Sequence, residues 1–341
     1  RKRVKRIYVS QINNYLTSTI EEAFYLKSIR TDSTKESGIP YYKLTLVDKT
    51  GKVSGRIWDK NMDPVFEALE NTIVNVKGDV LKDNNGETEI IIYSITPAQD
   101  YQVEDFIYSL EESLKDRYIE VLQKMAEQVS KDTYSKLLKS ILEKNVEQLK
   151  EAPRSISGTG NYNGAVLVQI VSITSIAVQI MRSHSNLTYP KYNRTFYIDS
   201  DLIITGAILA TIGDISIYTP FPDPQKIENS TLLTRELLSI QIIQQSMKEE
   251  DFFISSNEQY LLYNIIQTVH NKSLKPMTRE AYLIRAAYEV YQTLADMDHL
   301  FEQNRGKSGA IYVPNYGGYI YSPNTRNICK GGDNGTSEIN P

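Results

Sequence analysis

The feature that most constrains this chain is a change of period close to residue 98. Before it, apolar and polar residues alternate, as on a strand with one buried face. After it, apolar residues recur every three or four positions, as on a helix. Residues 41–47, Tyr-Tyr-Lys-Leu-Thr-Leu-Val, alternate, and Asp48-Lys-Thr-Gly51 supplies a turn. Residues 52–58 return with Val53 and Ile57 on the face of Leu44 and Leu46, a hairpin pattern. Further strands are expected at residues 20–30, 72–81 and 87–95, the last two joined by a turn at Asn84-Asn-Gly86. A short helix is expected at 62–70, with Pro64 in its first turn.

Five strands with a helix between the third and fourth is the order of an OB-fold barrel. Pro97-Ala-Gln-Asp100 is the expected linker, and Phe106, Leu110, Leu114, Tyr118, Val121 and Leu122 begin the helical period. More helices are expected at 131–149, 163–185, 199–213, 229–247, 256–271 and 278–303, with loops at 154–163 and 218–225. After residue 306, Ala310-Ile-Tyr-Val313 and Tyr319-Ile-Tyr321 flank a turn as a second hairpin, and residues 322–341 are polar. The expected class is α+β, multidomain: a barrel with a basic N-terminal arm over 1–98, an all-helical domain over 99–305, and a hairpin with a polar tail over 306–341.

A net charge of −4 gives no global drive toward nucleic acid or anionic membrane. Five of the first six residues are cationic, however, which suits a solvated arm or one that contacts phosphates. The single cysteine, Cys329, excludes an internal disulfide framework, and no signal peptide is visible, so a cytoplasmic setting is expected. No uninterrupted apolar run of membrane-spanning length is read, and no membrane partner is expected. Abundant Tyr, Ile, Asn and Lys is the composition of AT-rich coding, as in low-GC bacteria and their phages.

The outer face of the first hairpin offers Tyr41, Lys43, Arg56 and Trp58, with Tyr25 and Lys27 expected beside them from the first strand. Aromatic rings can stack bases while Lys and Arg meet phosphates. The alternative is that Trp58 and the tyrosines pack against the helices or contact protein. Tyr42-Lys-Leu-Thr-Leu-Val-Asp48, Gly51, Gly55-Arg-Ile-Trp-Asp59 and Val76-Lys-Gly78 resemble the OB domains grouped with tRNA anticodon-binding and single-strand-binding modules. Over about eighty residues the resemblance implies the fold more than the ligand.

In the helical part, Gly206-Ala-Ile-Leu-Ala210-Thr211-Ile-Gly213-Asp214 resembles the HD-hydrolase segment Gly-Ala-Leu-Leu-His-Asp-Ile-Gly-Lys without its His-Asp pair. Gly164-Ala-Val-Leu-Val-Gln169-Ile170 matches Gly-Gly-Leu-Leu-Glu-His-Thr with Gln169 at the histidine. A barrel followed by such a domain is similar to the YhaM-type 3′–5′ exoribonucleases. The resemblance implies degenerate metal-site positions at Gln169, Ala210, Thr211, Arg235, His270 and Tyr288. Amide, methyl and hydroxyl groups are poor substitutes for the imidazole and carboxylate donors that activate a metal-bound water.

Three functions follow as expectations. The first is a non-catalytic protein, with no catalytic residues, no metal and no cofactor, that binds single-stranded RNA or DNA on the barrel. The second is a divergent metal-dependent exonuclease with a site rebuilt from His270, Asp214 and Glu289. The third is a structural or regulatory subunit. A protein partner or homo-oligomer is expected through the tyrosine-rich C-terminal segment, since an isolated hairpin is marginal in water.

Overall fold

The structure of the chain, a computed structural model, describes residues 4–34, 37–156, 158–185, 191, 197–221, 224–304, 309–313 and 317–322. The polar tail and Cys329 lie outside the described residues, as do Tyr316 and residues 1–3 of the basic arm.

Strands β1 (Thr19–Ser33), β2 (Pro40–Asp48), β3 (Gly51–Trp58), β4 (Thr72–Lys82) and β5 (Thr88–Pro97) close into a barrel in the order β1-β2-β3-β5-β4. Neighbouring strands are antiparallel except β3 and β5, which run parallel where Ser54 meets Glu89 and Arg56 meets Ile91. This is the OB arrangement. Leu44, Leu46, Ile57, Val74, Val76, Ile90 and Ile92 fill the interior, as their alternation dictates. Ile12, from the 3₁₀ turn Val9–Tyr15, joins that core. The piece between β3 and β4 is a 3₁₀ turn, Pro64–Leu69, rather than an α-helix; Asp63 caps it by accepting from the Val65 N–H at 2.9 Å. At the β4–β5 crowding, a Cβ on Gly78 would lie 2.3 Å from the Ile91 carbonyl oxygen, so the closure needs glycine there.

Within the basic arm, Arg6 is exposed but Lys5 is not solvated. Lys5 is buried, with its ammonium 3.8 Å from the Phe24 ring centroid, 3.6 Å from Asp48, and donating to the Ala23 carbonyl. Burial pulls its pKa down to about 8, against the opposing pull of Asp48 and Glu22. The segment after β5 is also fastened to the barrel. Asp105 accepts from the Tyr8 hydroxyl at 2.5 Å and pairs with Lys49 at 3.5 Å. Phe106 lies over the outer face of the barrel against Ala23 and Tyr25.

Helices α1 (Glu112–Glu127), α2 (Asp132–Lys144), α3 (Val146–Glu151), α4 (Ala165–Ser185), α5 (Ser200–Leu209), α6 (Glu228–Leu232), α7 (Arg235–Glu249), α8 (Ser256–His270) and α9 (Arg279–Gln303) build the second part around one core. The helix expected over 131–149 is two, separated at Asn145, whose side chain caps back onto the Ile141 carbonyl. Helix α4 packs against α1, α3, α5 and α9. By length and composition Ala165–His184 could cross a membrane, contrary to the expectation from sequence, but it is mostly buried by the surrounding helices. Helix α5 is apolar all round and buried from Leu202 to Leu209, as a central helix must be. β6 (Gly309–Val313) and β7 (Gly318–Ser322) form the expected C-terminal hairpin.

Candidate functional site

Two places gather the residues singled out by the sequence. On the barrel, cross-strand register sets Tyr41 opposite Trp58 and Lys43 opposite Arg56. Their inward neighbours Leu44 and Ile57 are buried, so these four point outward. The Tyr41 and Trp58 rings stand 5.4 Å apart at 58°. The Arg56 guanidinium lies 4.7 Å from the Tyr41 centroid and 5.0 Å from that of Trp58, and pairs with Glu89 at 3.2 Å. Burial raises the Glu89 pKa, while Arg56 pulls it back down. The Tyr41 hydroxyl donates to Asp32 at 3.0 Å. Rings and guanidinium therefore form one preassembled cluster.

Strand β1 does not supply the residues expected of it. Its register against β2 shifts between Leu26 and Ser28, which places Lys27 at a bulge. Tyr25 is 4% exposed, lies under Phe106, and donates its hydroxyl to Asn71 at 3.1 Å, so it is not part of an open face. Beyond the bulge, Arg30 takes the place opposite Lys43. Arg30, Lys43 and Arg56 thus form a row of three cations across β1, β2 and β3. Like charges directly opposite destabilise a sheet. Leu26 and Ile29, both buried, stand three apart, and that break in the period of two is the one local sign of the bulge.

The second place is in the helices. Asp214, in the 3₁₀ turn Ile212–Ser216 that follows α5, is the hub. Its Oδ2 accepts from Gln169 Nε2 of α4 at 2.9 Å, and its Oδ1 lies 3.7 Å from Arg235 Nε at the start of α7. The turn can approach α7 because residue 213 is glycine: a Cβ there would lie 2.4 Å from Ser239 N and 2.6 Å from the Arg235 carbonyl oxygen. His270, at the end of α8, meets the Tyr288 ring edge-on at 4.6 Å. Burial lowers the His270 pKa, with Asp214 opposing and Arg235 assisting; burial likewise raises that of Tyr288. The charge of Asp214 is the leading cause that raises the Arg235 pKa. Ala210 and Thr211 are buried just beyond α5.

The fold therefore brings Gln169, Arg235, His270 and Tyr288 to one spot, with Asp214 as the anion among them. Gln169 Oε1, Thr211 Oγ1, Asp214 Oδ1 and His270 Nε2 are buried there without a hydrogen-bond partner. Among the described residues, no group of three His, Cys, Asp or Glu side chains is placed to hold a metal ion. Glu289, read with His270 and Asp214 as a rebuilt site, is exposed and accepts from Arg285 at 3.2 Å instead.

No protein-family model matches the chain. Solved structures similar to parts of it include a replication protein A heterotrimer bound to ssDNA, at 16% identity over 29% of this chain and 84% of that one, with a TM-score of 0.21. The second OB-fold domain of replication protein A from Methanococcus maripaludis is similar at 25% identity over 26% of this chain and 89% of that domain, with a TM-score of 0.20. Asparaginyl-tRNA synthetase from Pyrococcus horikoshii is similar at 16% identity over 42% of this chain, with a TM-score of 0.23; this chain spans about a third of that protein's length, 34%. At these scores the likenesses carry no argument about ligand or reaction. The barrel assignment rests on strand order and register.

Proposed function

We propose that the protein binds single-stranded RNA or DNA on the barrel and catalyses no reaction on it. The observation that carries this reading is the row Arg30, Lys43 and Arg56 beside the Tyr41–Arg56–Trp58 cluster. Glu89 already meets Arg56, but Arg30 and Lys43 stand opposite each other with like charge, and a polyanion laid across the row would relieve that repulsion. The adjoining rings provide sequence-tolerant stacking. Fluorescence anisotropy with labelled oligo(U) and oligo(dT) over a salt series is the test. Affinity should fall with salt, and each cation removed should reduce the log–log slope by roughly 0.7. A slope unchanged by Arg30→Ala, Lys43→Ala and Arg56→Ala together refutes the surface.

The helical part is, on this reading, a relative of HD hydrolases that serves as a scaffold. Support comes from Gln169, Arg235 and Tyr288, none a good metal ligand, standing at the positions to which the resemblance assigns or aligns the metal site.

A protein contact through the C-terminal hairpin is a second reading. Tyr312, Tyr319 and Tyr321 are exposed on it, two of them with ring centroids 5.2 Å apart, an amphipathic surface suited to an interface. Light scattering of the full chain and of a chain ending at residue 305 tests it. Equal protomer number in both would remove the hairpin as an assembly element.

A further inference from the structure

A cleft of about 530 Å³ opens on the helical part, some distance in sequence from anything the barrel uses. Its walls are the loop carrying Arg154 and Thr159, the start of α7 at Arg235, and the second half of α9 at Tyr288, Gln292 and Asp296. That volume lies in the range of small-molecule sites.

Two guanidinium groups face it, and neither is used up. Arg154 donates through Nη1 to Gln292 Oε1 and through Nη2 to Thr159 Oγ1 at 2.5 Å. Those bonds orient its plane and occupy two of five N–H groups. Arg235 is about one-third exposed, and its 3.7 Å approach to Asp214 is an ion contact too long for a hydrogen bond. His270 packs edge-on against Tyr288 of the cleft wall; burial lowers its pKa, and the charges of Arg235 and Arg154 act in the same direction. Next to the lining residues Arg235 and Tyr288 lie Asp214 and His270, and Asp214 Oδ1 and His270 Nε2 are buried without a hydrogen-bond partner. Beside Arg154, Asp296 accepts from Gln292 Nε2 at 2.8 Å, and His299 is bonded to Gln303 at 2.8 Å. The cleft therefore carries guanidinium donors from the loop and from α7, with the Gln292 amide of α9 joining Arg154 to the Asp296 carboxylate.

We propose that this cleft binds a phosphate monoester of mononucleotide size without a metal ion. The phosphate lies against Arg154 and Arg235, and the hydroxyl-bearing part lies toward Gln292 and Asp296. Guanidinium forks match phosphate oxygens in pairs, which a point charge does not. Asp296 would repel an unadorned anion but accepts well from sugar hydroxyls, so the site should prefer a phosphorylated sugar to inorganic phosphate. The monoester can come from a free nucleotide or from the phosphorylated end of a strand.

Calorimetric titration of the full chain in EDTA separates these cases. The probes are inorganic phosphate, uridine, uridine 5′-monophosphate, uridine 3′-monophosphate, and uridine tetranucleotides with and without a terminal phosphate. One monophosphate per chain should bind at least tenfold more tightly than uridine or inorganic phosphate. Arg154→Gln should weaken it at least tenfold and Arg154→Lys less. Arg235→Lys is the companion variant, because Arg235→Gln would strand Asp214. Binding by free monophosphates assigns the source to nucleotides; binding confined to phosphorylated tetranucleotides assigns it to strand ends. The proposal is overturned if uridine binds as tightly as its monophosphates, if Arg154→Gln leaves affinity unchanged in a folded protein, if binding needs a divalent metal, or if no phosphorylated probe binds.

Discussion

The Arg56 guanidinium carbon sits 5.0 Å from the Trp58 ring centroid while its charge is held by Glu89 at 3.2 Å. The cation is thus positioned before any ligand arrives, and the exposed part of the Trp58 ring is left as a platform. Trp58→Ala should weaken single-strand binding by roughly 1–3 kcal/mol, with Trp58→Phe losing less, because stacking scales with ring area. Anisotropy measured at one fixed salt concentration checks this. Equal affinity for wild type and Trp58→Ala would move the binding surface elsewhere.

Arg30 and Lys43 should trade stability against binding. They stand opposite each other in the β1–β2 register. Removing either relieves repulsion, so Arg30→Ala or Lys43→Ala should leave the barrel as stable or more stable by roughly 0.2–1 kcal/mol. The same variants should bind more weakly and with a shallower salt slope. Urea unfolding beside anisotropy reads both. A loss of stability together with unchanged binding would mean the cations are structural.

Gly213 is needed for Asp214 to reach Arg235. Gly213→Ala places a methyl group 2.4 Å from Ser239 N, a backbone atom that cannot step aside. The expected cost is roughly 1–3 kcal/mol, the range for overpacking a tight site. Thermal melts should show a lower Tm, and unchanged melting would show that the 3₁₀ turn is looser than it stands here.

Acid should release Glu258. It sits in the capping box of α8 and accepts from Lys131 at 2.8 Å, Thr133 at 2.8 Å and the Ser255 N–H at 2.7 Å. Burial alone would raise its pKa, but these bonds prevail and bring it from 4.5 to about 2. Because the folded value is the lower one, its stabilisation is complete above pH 4.5 and is lost as pH falls toward 2. The linked free energy is on the order of 3 kcal/mol. Glu258→Gln should therefore lower stability at pH 7 and flatten its dependence between those limits; parallel wild-type and variant profiles would contradict the assignment.

Phosphodiester hydrolysis should be absent. On the proposed reading, Gln169 bonded to Asp214 and alanine at position 210 leave no suitable donors there to activate water on a metal. Labelled single-stranded RNA and DNA should stay intact with manganese or magnesium. Turnover that disappears in a folded Asp214→Ala or His270→Ala variant would reverse this prediction.

The interior of the β2–β3 hairpin, its outward Tyr41, Lys43, Arg56 and Trp58, and the switch to helices after the barrel were legible in the residue order. Each depends on a period of two or of three to four, and such periods are local. The resemblance also named positions 169, 235, 270 and 288 as neighbours. Only the tertiary structure decided what local period cannot carry. The bulge at Lys27 moved Arg30 into the cation row, and Phe106 covered Tyr25 from a distant segment. Burial turned Lys5 from an arm residue into a partner of Asp48. Asp214 became a hub, and Arg154 met Gln292 beside a cleft, through contacts between segments far apart in the chain. Such contacts are set by how helices and strands pack against one another, and no single segment encodes them.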